Sequence, residues 1–288
     1  MTLPEYLVVG HISKDLLAGG GTAPGGTVLY AGLTAQRLGV PAGLVTALAG
    51  ADRDLLAPAE QAGAGCAVLP SDATTTFALE YTGEERQLRL HARAAPVPPD
   101  AVPVAWRGAA ILHLGPIAAE LDARLAWDSV CPGALLGVTP QGWMRAWDAE
   151  GLVRPTPWRD AGPILARADV LVMSVEDVAH DAEVLHGYVG QARLAVVTAG
   201  HEGATIYEAG HVVAHVPACR AHPVDFTGAG DVFTAAFLIG YRETGDAPRA
   251  AAFAHAAAAF AIEAPGTTGI ADRDRVDARA ADPAGRYV

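Results

Sequence analysis

Apolar positions along this chain fall into short runs separated by glycine-punctuated loops, and the runs alternate between two periods. Residues 3–10 are almost continuously apolar, which predicts a buried strand. Gly19-Gly20-Gly21 and Pro24-Gly25-Gly26 mark the loop that follows. Residues 27–38 then place apolar side chains at 28, 29, 33 and 38, the spacing of a helix with one buried side, and Gly39 with Pro41 beyond it supplies a stop. A strand over 43–49 and a helix over 52–64 repeat the unit. Strand, helix, strand, helix at this spacing predicts a parallel sheet covered by helices on both faces. The rhythm resumes with strands over 109–114, 135–138, 170–173 and 194–198 and a hairpin over 207–216 turning at Ala209-Gly210. An alanine-rich helix over 248–263 and a short polar helix beyond 271 follow.

One segment interrupts the pattern. Residues 74–81 and 86–91 are rich in β-formers that alternate in character, and Thr82-Gly83-Glu84-Glu85 between them is a polar turn, so the segment predicts an antiparallel ribbon inserted into the α/β domain. Such a ribbon serves as a lid, as an interface or as a plain edge hairpin. The expected architecture is an α/β three-layer sandwich with a central, mostly parallel sheet and a small β-hairpin lid. It forms one domain over 1–288, with lid elements at about 11–26 and 72–94.

Composition narrows the function classes. Of 288 residues, 51% are hydrophobic and 18% charged, enough apolar material for one large core. The net charge of −12 argues against nucleic acid or an anionic membrane as the main partner, though a local positive patch would still suffice for a nucleotide. Lys14 is the only lysine; the other basic residues are arginines, and Lys14 itself reads as a surface residue. Cys66, Cys131 and Cys219 are odd in number and far apart, as expected of core residues in a reducing cytoplasm. No apolar run reaches membrane-spanning length, and the start of the chain has no charged region followed by a long apolar run, which predicts no signal peptide.

Several familiar sites are absent from the sequence: Gly-x-x-x-x-Gly-Lys-Ser/Thr, His-Glu-x-x-His, Cys-x-x-Cys and Gly-x-Ser-x-Gly do not occur. His211 and His215 sit in a strand-like run without further ligands and read as surface histidines. The strongest local signal is Val224-Asp225-Phe226-Thr227-Gly228-Ala229-Gly230-Asp231, which passes at once into the apolar stretch 232–238. A loop turning into a helix offers unpaired N–H groups and a positive dipole end to an anion. A carboxylate there is repelled by phosphate, so Asp231 reads either as a base beside a bound phosphate or as an ordinary acidic first-turn residue. Trp143 and Trp147, four apart, read equally as a packing face or a sugar platform.

Asp225-x-Thr227-Gly228-Ala229-Gly230-Asp231 resembles a signature of the ribokinase-like (PfkB) carbohydrate kinases. Gly25-Gly26 before a small-residue helix ending Arg37-Leu38-Gly39 resembles the other. Gly10 with Asp15, Val197-Thr198-Ala199-Gly200-x-x-Gly203-Ala204 and the last alanine-rich helix ending near Gly266 occur in the same order. Within the family, residues 71–96 and 141–145 are most similar to the archaeal myo-inositol 3-kinase branch. The resemblance implies transfer of the γ-phosphoryl of ATP, with Mg2+, to a hydroxyl of a sugar or cyclitol. Asp231 would be the base, with Gly228, Ala229 and Gly230 as anion hole. Asp15, Gly25 and Gly26, and further Tyr30, Gln141 and Arg145, would face the acceptor, Gln141 and Arg145 reading as readily as a solvated helix start. Thr198, Gly200, Gly203, Thr227, His255 and Ala258 would line the nucleotide, and Asp177 with Glu176 would serve the metal. It also leaves room for a monovalent cation near Asp225 and for a homodimer paired through lid ribbons.

There are departures from the pattern. Phe226 stands where a small or hydroxyl residue is usual, Tyr30 where a substrate-binding asparagine is usual, and Ser174-Val175-Glu176-Asp177 where the metal motif reads Asn-x-x-Glu. Two other readings therefore remain open: a nucleoside kinase of the same fold, and a catalytically weak sugar-binding regulatory protein.

Overall fold

In a computed structural model, which describes residues 3–17, 19–82, 85–282 and 285, the predicted alternation is realised as follows. The strands are β1 (Tyr6–Val9), β2 (Ser13–Leu16), β3 (Thr22–Gly25), β4 (Ala42–Leu48), β5 (Gly65–Pro70), β6 (Thr75–Thr82), β7 (Glu85–Ala92), β8 (Ile111–Leu114), β9 (Leu135–Val138), β10 (Arg145–Trp147), β11 (Val153–Pro155), β12 (Val170–Ser174), β13 (Leu194–Thr198), β14 (Ala204–Glu208) and β15 (His211–Val216). The helices are α1 (Thr27–Arg37), α2 (Ala57–Gln61), α3 (Ala161–Leu165), α4 (Ala182–Val189), α5 (Ala229–Thr244), α6 (Ala247–Ile262) and α7 (Arg273–Ala280).

The main sheet runs β15-β14-β13-β12-β9-β8-β1-β4-β5. Its strands from β13 to β5 are parallel, and β14 and β15 close one edge antiparallel. In β1 the side chains alternate between the faces. Tyr6 and Val8 join the cluster under α1, α5 and α6, whereas Leu7 and Val9 join the cluster under α3 and α4. Leu29, Phe237 and Trp127 in these clusters are fully buried, each worth ~1.5–3 kcal/mol relative to exposure. Because the strands are parallel, the loops after β1, β9, β12 and β13 emerge along one edge, the place where α/β sheets hold ligands.

The interrupting ribbon pairs with the loop after β1 to form a second sheet, β3-β2-β6-β7. Asp15 of β2 stands in register with Ala23 of β3 and Phe77 of β6, so these residues share a face. Phe77 and Leu90 of that face pack on Ile117 and Ala118 of the main body. The Gly83-Glu84 turn lies outside the described residues, as does most of the tail beyond α7.

One expectation needs correction. The helix over 52–64 is a 3₁₀ stretch over 50–56 followed by the short α2: Asp52 leaves helical geometry (φ −104°, ψ 17°), and Pro58, lacking an N–H, fits only a helix start. Lys14, a half-buried surface residue, is paired. Its Nζ lies 2.9 Å from Asp52 Oδ1 and 3.1 Å from Oδ2, tying β2 of the small sheet to the 3₁₀ stretch after β4.

Candidate active site

The N-terminus of α5 forms the centre. Gly228 is its N-cap, with φ 74°, and a Cβ there would lie 2.1 Å from the Tyr30 ring, so only glycine fits on two counts. The first α-helical bond runs from the Val232 N–H to the Gly228 carbonyl. The Ala229 N–H turns back onto the Phe226 carbonyl at 3.2 Å, which partly removes it from the expected anion hole. The N–H groups of Gly228, Gly230 and Asp231 have no protein acceptor among the described residues, and no atom lies within 4 Å of where a Gly230 Cβ would stand. These amides are the ones available to an anion.

Asp225 stiffens this loop. Its carboxylate accepts the Thr227 N–H at 2.9 Å and the Gly266 N–H at 2.8 Å, while the Val224 and Asp225 N–H groups donate to the Ile262 carbonyl. Burial pushes the Asp225 carboxyl up, but the Gly266 and Thr227 hydrogen bonds outweigh it and hold the group below its usual range. Thr227 itself is exposed.

Asp231, half-buried one turn into α5, is pushed up to about 6. Burial is the main cause and Asp177 adds to it, against the opposing pull of the Thr27 hydroxyl and the Arg145 guanidinium. Thr27 opens α1, so two helix N-termini converge on the carboxylate.

Arg145 opens β10, and its guanidinium draws field from Asp177, Asp231, Glu120 and Asp15. Nη1 donates to the Ile117 carbonyl at 3.0 Å, and Cζ sits 5.6 Å from the Phe77 ring centroid on the small sheet. Asp15 is raised by burial, against the Ser13 hydroxyl at 2.8 Å and Arg145. Gly25 lies against it: a Cβ there would come within 2.2 Å of an Asp15 carboxylate oxygen. Gly26 caps α1 beside the His11 carbonyl.

Asp177 is also raised by burial. One of its oxygens accepts the Ser174 N–H at 2.8 Å in a capping box, and Gln141 and Arg145 favour its ionised form. Gln141 is exposed on a 3₁₀ turn. Glu176 is exposed on the far side of the capping box, and no group of three or more acidic, histidine or cysteine side chains arranged to hold a metal occurs among the described residues.

The remaining expected residues separate. Tyr30 is 1% exposed, with its ring against Gly228 and within the field of Asp225, Asp231 and Asp15. Thr198 ends β13, and Gly200 and Gly203 bound the single turn to β14, where the Ala199 N–H donates to the Gly203 carbonyl at 2.8 Å. His255 is buried in α6 against Phe233, ring centroids 4.9 Å apart, while Ala258 on the same helix is half-buried. Trp143 stacks on Trp158 at 4.9 Å and is a packing residue; Trp147 lies under Arg93. Glu120 and Thr27 escaped the sequence reading. Nothing in the local pattern separates a buried glutamate from an exposed one, and Thr27 is legible only as the residue after Gly25-Gly26.

Residues 167–273 match the pfkB family carbohydrate kinase. An ATP-dependent ribose-1-phosphate kinase of Halopiger xanaduensis is 33% identical over 123 residues, 42% of this chain and 41% of the relative. A cytidine kinase of Thermococcus kodakarensis is 37% identical over 78 residues, 26% of this chain and 27% of the relative. The chain thus matches these relatives over less than half of their length. A solved pyrophosphate-dependent kinase in the ribokinase family, complexed with a pyrophosphate analog and myo-inositol, superposes with a TM-score of 0.81 at 22% identity, over 95% of this chain and 99% of that one. The chain has the ribokinase-like α/β fold, and its segment 167–273 carries the sequence pattern of the pfkB family carbohydrate kinases.

Proposed function

We propose that this protein is a phosphotransferase that moves the γ-phosphoryl group of ATP onto a hydroxyl of a sugar or cyclitol. The observation that carries the reading is a carboxyl held near pKa 6 at a helix N-terminus, beside the outward amides of Gly228 and Gly230. A base poised near neutrality is well matched to taking a hydroxyl proton, and amides fixed around it receive phosphate oxygens without reorganising. In the proposed reaction the acceptor oxygen bonds to the γ-phosphorus as Asp231 takes its proton. The bond from that phosphorus to the β–γ bridging oxygen breaks, and ADP leaves.

Asp15 is suited to gripping acceptor hydroxyls, with Gly25 and Gly26 leaving room beside it. Thr198, Gly200, Gly203 and Thr227 are assigned to the donor side, with Ala258 and the α6 surface around His255. The small sheet acts as the lid that excludes water, which would compete as acceptor. Magnesium fits the same edge, because Asp177 has one oxygen outside its capping bond and Arg145 is, among the described residues, the only cation acting on either Asp177 or Asp231. Bound there through Asp177 and the donor phosphates, it would neutralise phosphate charge.

A myo-inositol-like polyol is the favoured acceptor. Asp15, Asp177 and Asp231 surround the single guanidinium of Arg145, and Lys14 is already paired with Asp52, so a phosphorylated acceptor would meet net repulsion. The superposing kinase holds myo-inositol. A nucleoside acceptor is the second reading, favoured by the match to the cytidine kinase. Release of ADP with myo-inositol, ribose, ribose 1-phosphate or cytidine, tested side by side, decides among them. A wild type that releases no ADP with any acceptor, or an Asp231→Asn variant with undiminished turnover, would overturn the reading.

A further inference from the structure

Glu120 is 1% exposed, and among the described residues no arginine or lysine is bonded to its carboxylate. Burying a carboxylate is costly unless hydrogen bonds replace its water. Here they are backbone amides. Oε1 accepts the His11 N–H at 2.7 Å, Oε2 accepts the Ala118 N–H at 2.7 Å, and the Ile117 N–H is shared between them at 3.0 and 3.1 Å.

The two segments so joined are the two that carry the acceptor side. His11 leads from β1 into β2, which holds Asp15 four residues on. Ile117 presents the carbonyl that fixes Arg145 Nη1. The clamp extends into the ribbon. The His11 ring bonds Thr75 Oγ1 through Nδ1 at 2.7 Å and the Ala95 carbonyl through Nε2 at 2.9 Å, and Thr75 Oγ1 also accepts the Ala94 N–H at 3.0 Å. The carbonyl can only accept, so Nε2 carries a proton and donates to it. Every chain crossing between the main body and the small sheet at β1, β6 and β7 therefore meets one buried cluster.

We infer that Glu120 is a positioning residue for the acceptor: through His11 and Ile117 it sets Asp15 and Arg145 relative to each other, and so fixes the acceptor's place under the small sheet. Its role rests on the kinase reading above, and it touches neither acceptor nor donor. A carboxamide at 120 would turn an N–H2 group toward N–H donors and release one side of the clamp. Misplacement by a fraction of an ångström at a remote support can cost ~10–100-fold in a bound geometry.

The test has two arms. In Glu120→Gln, the KM for whichever of myo-inositol, ribose and cytidine the wild type phosphorylates best should rise ~10-fold or more while the KM for ATP holds, with partial recovery in Glu120→Asp. Independently of activity, amide hydrogen exchange in Glu120→Gln should quicken across β2 and β10 and stay unchanged in α5. An unchanged acceptor KM, an equal rise for both substrates, or exchange confined to His11, Ile117 and Ala118 would overturn the inference. Should Glu120→Gln fail to fold, Thr75→Val decides by the same readouts, since it breaks the clamp on the ribbon side only. A wild type that phosphorylates no acceptor sinks the functional reading alone, because the exchange arm still tests the clamp.

Discussion

Replacing Asp231 by asparagine should make the protein more stable and far less active. The carboxyl is moved from 3.8 to about 6, mainly by burial. Between those values the folded protein binds a proton that the unfolded chain has released, so stability falls as pH rises through that window and stays lower above it. At ~1.4 kcal/mol per pH unit, the ionised carboxylate costs the folded state up to about 3 kcal/mol at pH 8. Asparagine matches the protonated form in shape and removes that cost together with the repulsion from Asp177. Urea unfolding at pH 8 should therefore show a gain of roughly 1–3 kcal/mol over wild type, shrinking towards zero as pH falls to 4. Phosphoryl transfer should drop about 10²–10⁴-fold. Opposed changes in stability and turnover are what a residue held in a strained state for function gives. A variant that is less stable at pH 8, or whose stability difference does not change with pH, would refute the burial argument.

Other consequences follow from the same geometry. The pH profile of wild-type kcat/KM should rise through an apparent pKa of about 6 as Asp231 ionises. In Arg145→Gln that limb should move to higher pH, because the guanidinium now favours the ionised form; an unmoved limb in steady-state assays would show that Arg145 does not act on the base. Gly228→Ala should lose donor binding and destabilise the fold by more than ~1 kcal/mol, since its φ of 74° and the Tyr30 ring both exclude a Cβ. Equilibrium unfolding and the KM for ATP report the two effects separately. Lys14→Met should cost no more than ~1 kcal/mol at neutral pH, with the difference shrinking in high salt, as for a partly solvated ion pair.

What could be read from the chain was what depends on neighbours in sequence. The run 194–198 became β13, the Ala209-Gly210 turn joined β14 to β15, and Gly228-Ala229-Gly230-Asp231 became the first turn of a helix. Each is encoded within about ten residues by periodicity and glycine placement. Residues 52–64 have the apolar spacing of a helix, but Pro58 permits only a helix start, and the departure of Asp52 from helical geometry has no local sequence signal. The pairing of Lys14 is not legible in the sequence because its partner is 38 residues away. Tyr30 reads as an acceptor residue because it stands at the α1 position where an asparagine is usual; that Gly228 of the α5 cap presses onto its ring is a property of packing alone. Glu120 was passed over for the same reason. Its three amide donors come from two loops, one of them 109 residues distant.

The arrangement of charge explains why a single cation suffices for this site and why it is an arginine. A guanidinium is planar and weakly hydrated, so it can rest on the Phe77 ring, give one N–H to the Ile117 carbonyl and still face carboxylates on other sides. An ammonium would need its water back. Phe77 and Asp15 belong to the small sheet, whereas Asp177 and Asp231 belong to the main body, so Arg145 is where the two sheets meet electrostatically. Lifting the small sheet would take Asp15 and Phe77 from one side of the guanidinium and admit water to the other carboxylates. Burial is the main cause of Asp231's raised pKa, and water would return the group towards 3.8. The carboxylate would then be the weaker proton acceptor. On the proposed reading, Asp231 would be the stronger proton acceptor with the small sheet closed, when an acceptor hydroxyl and not solvent faces the phosphorus.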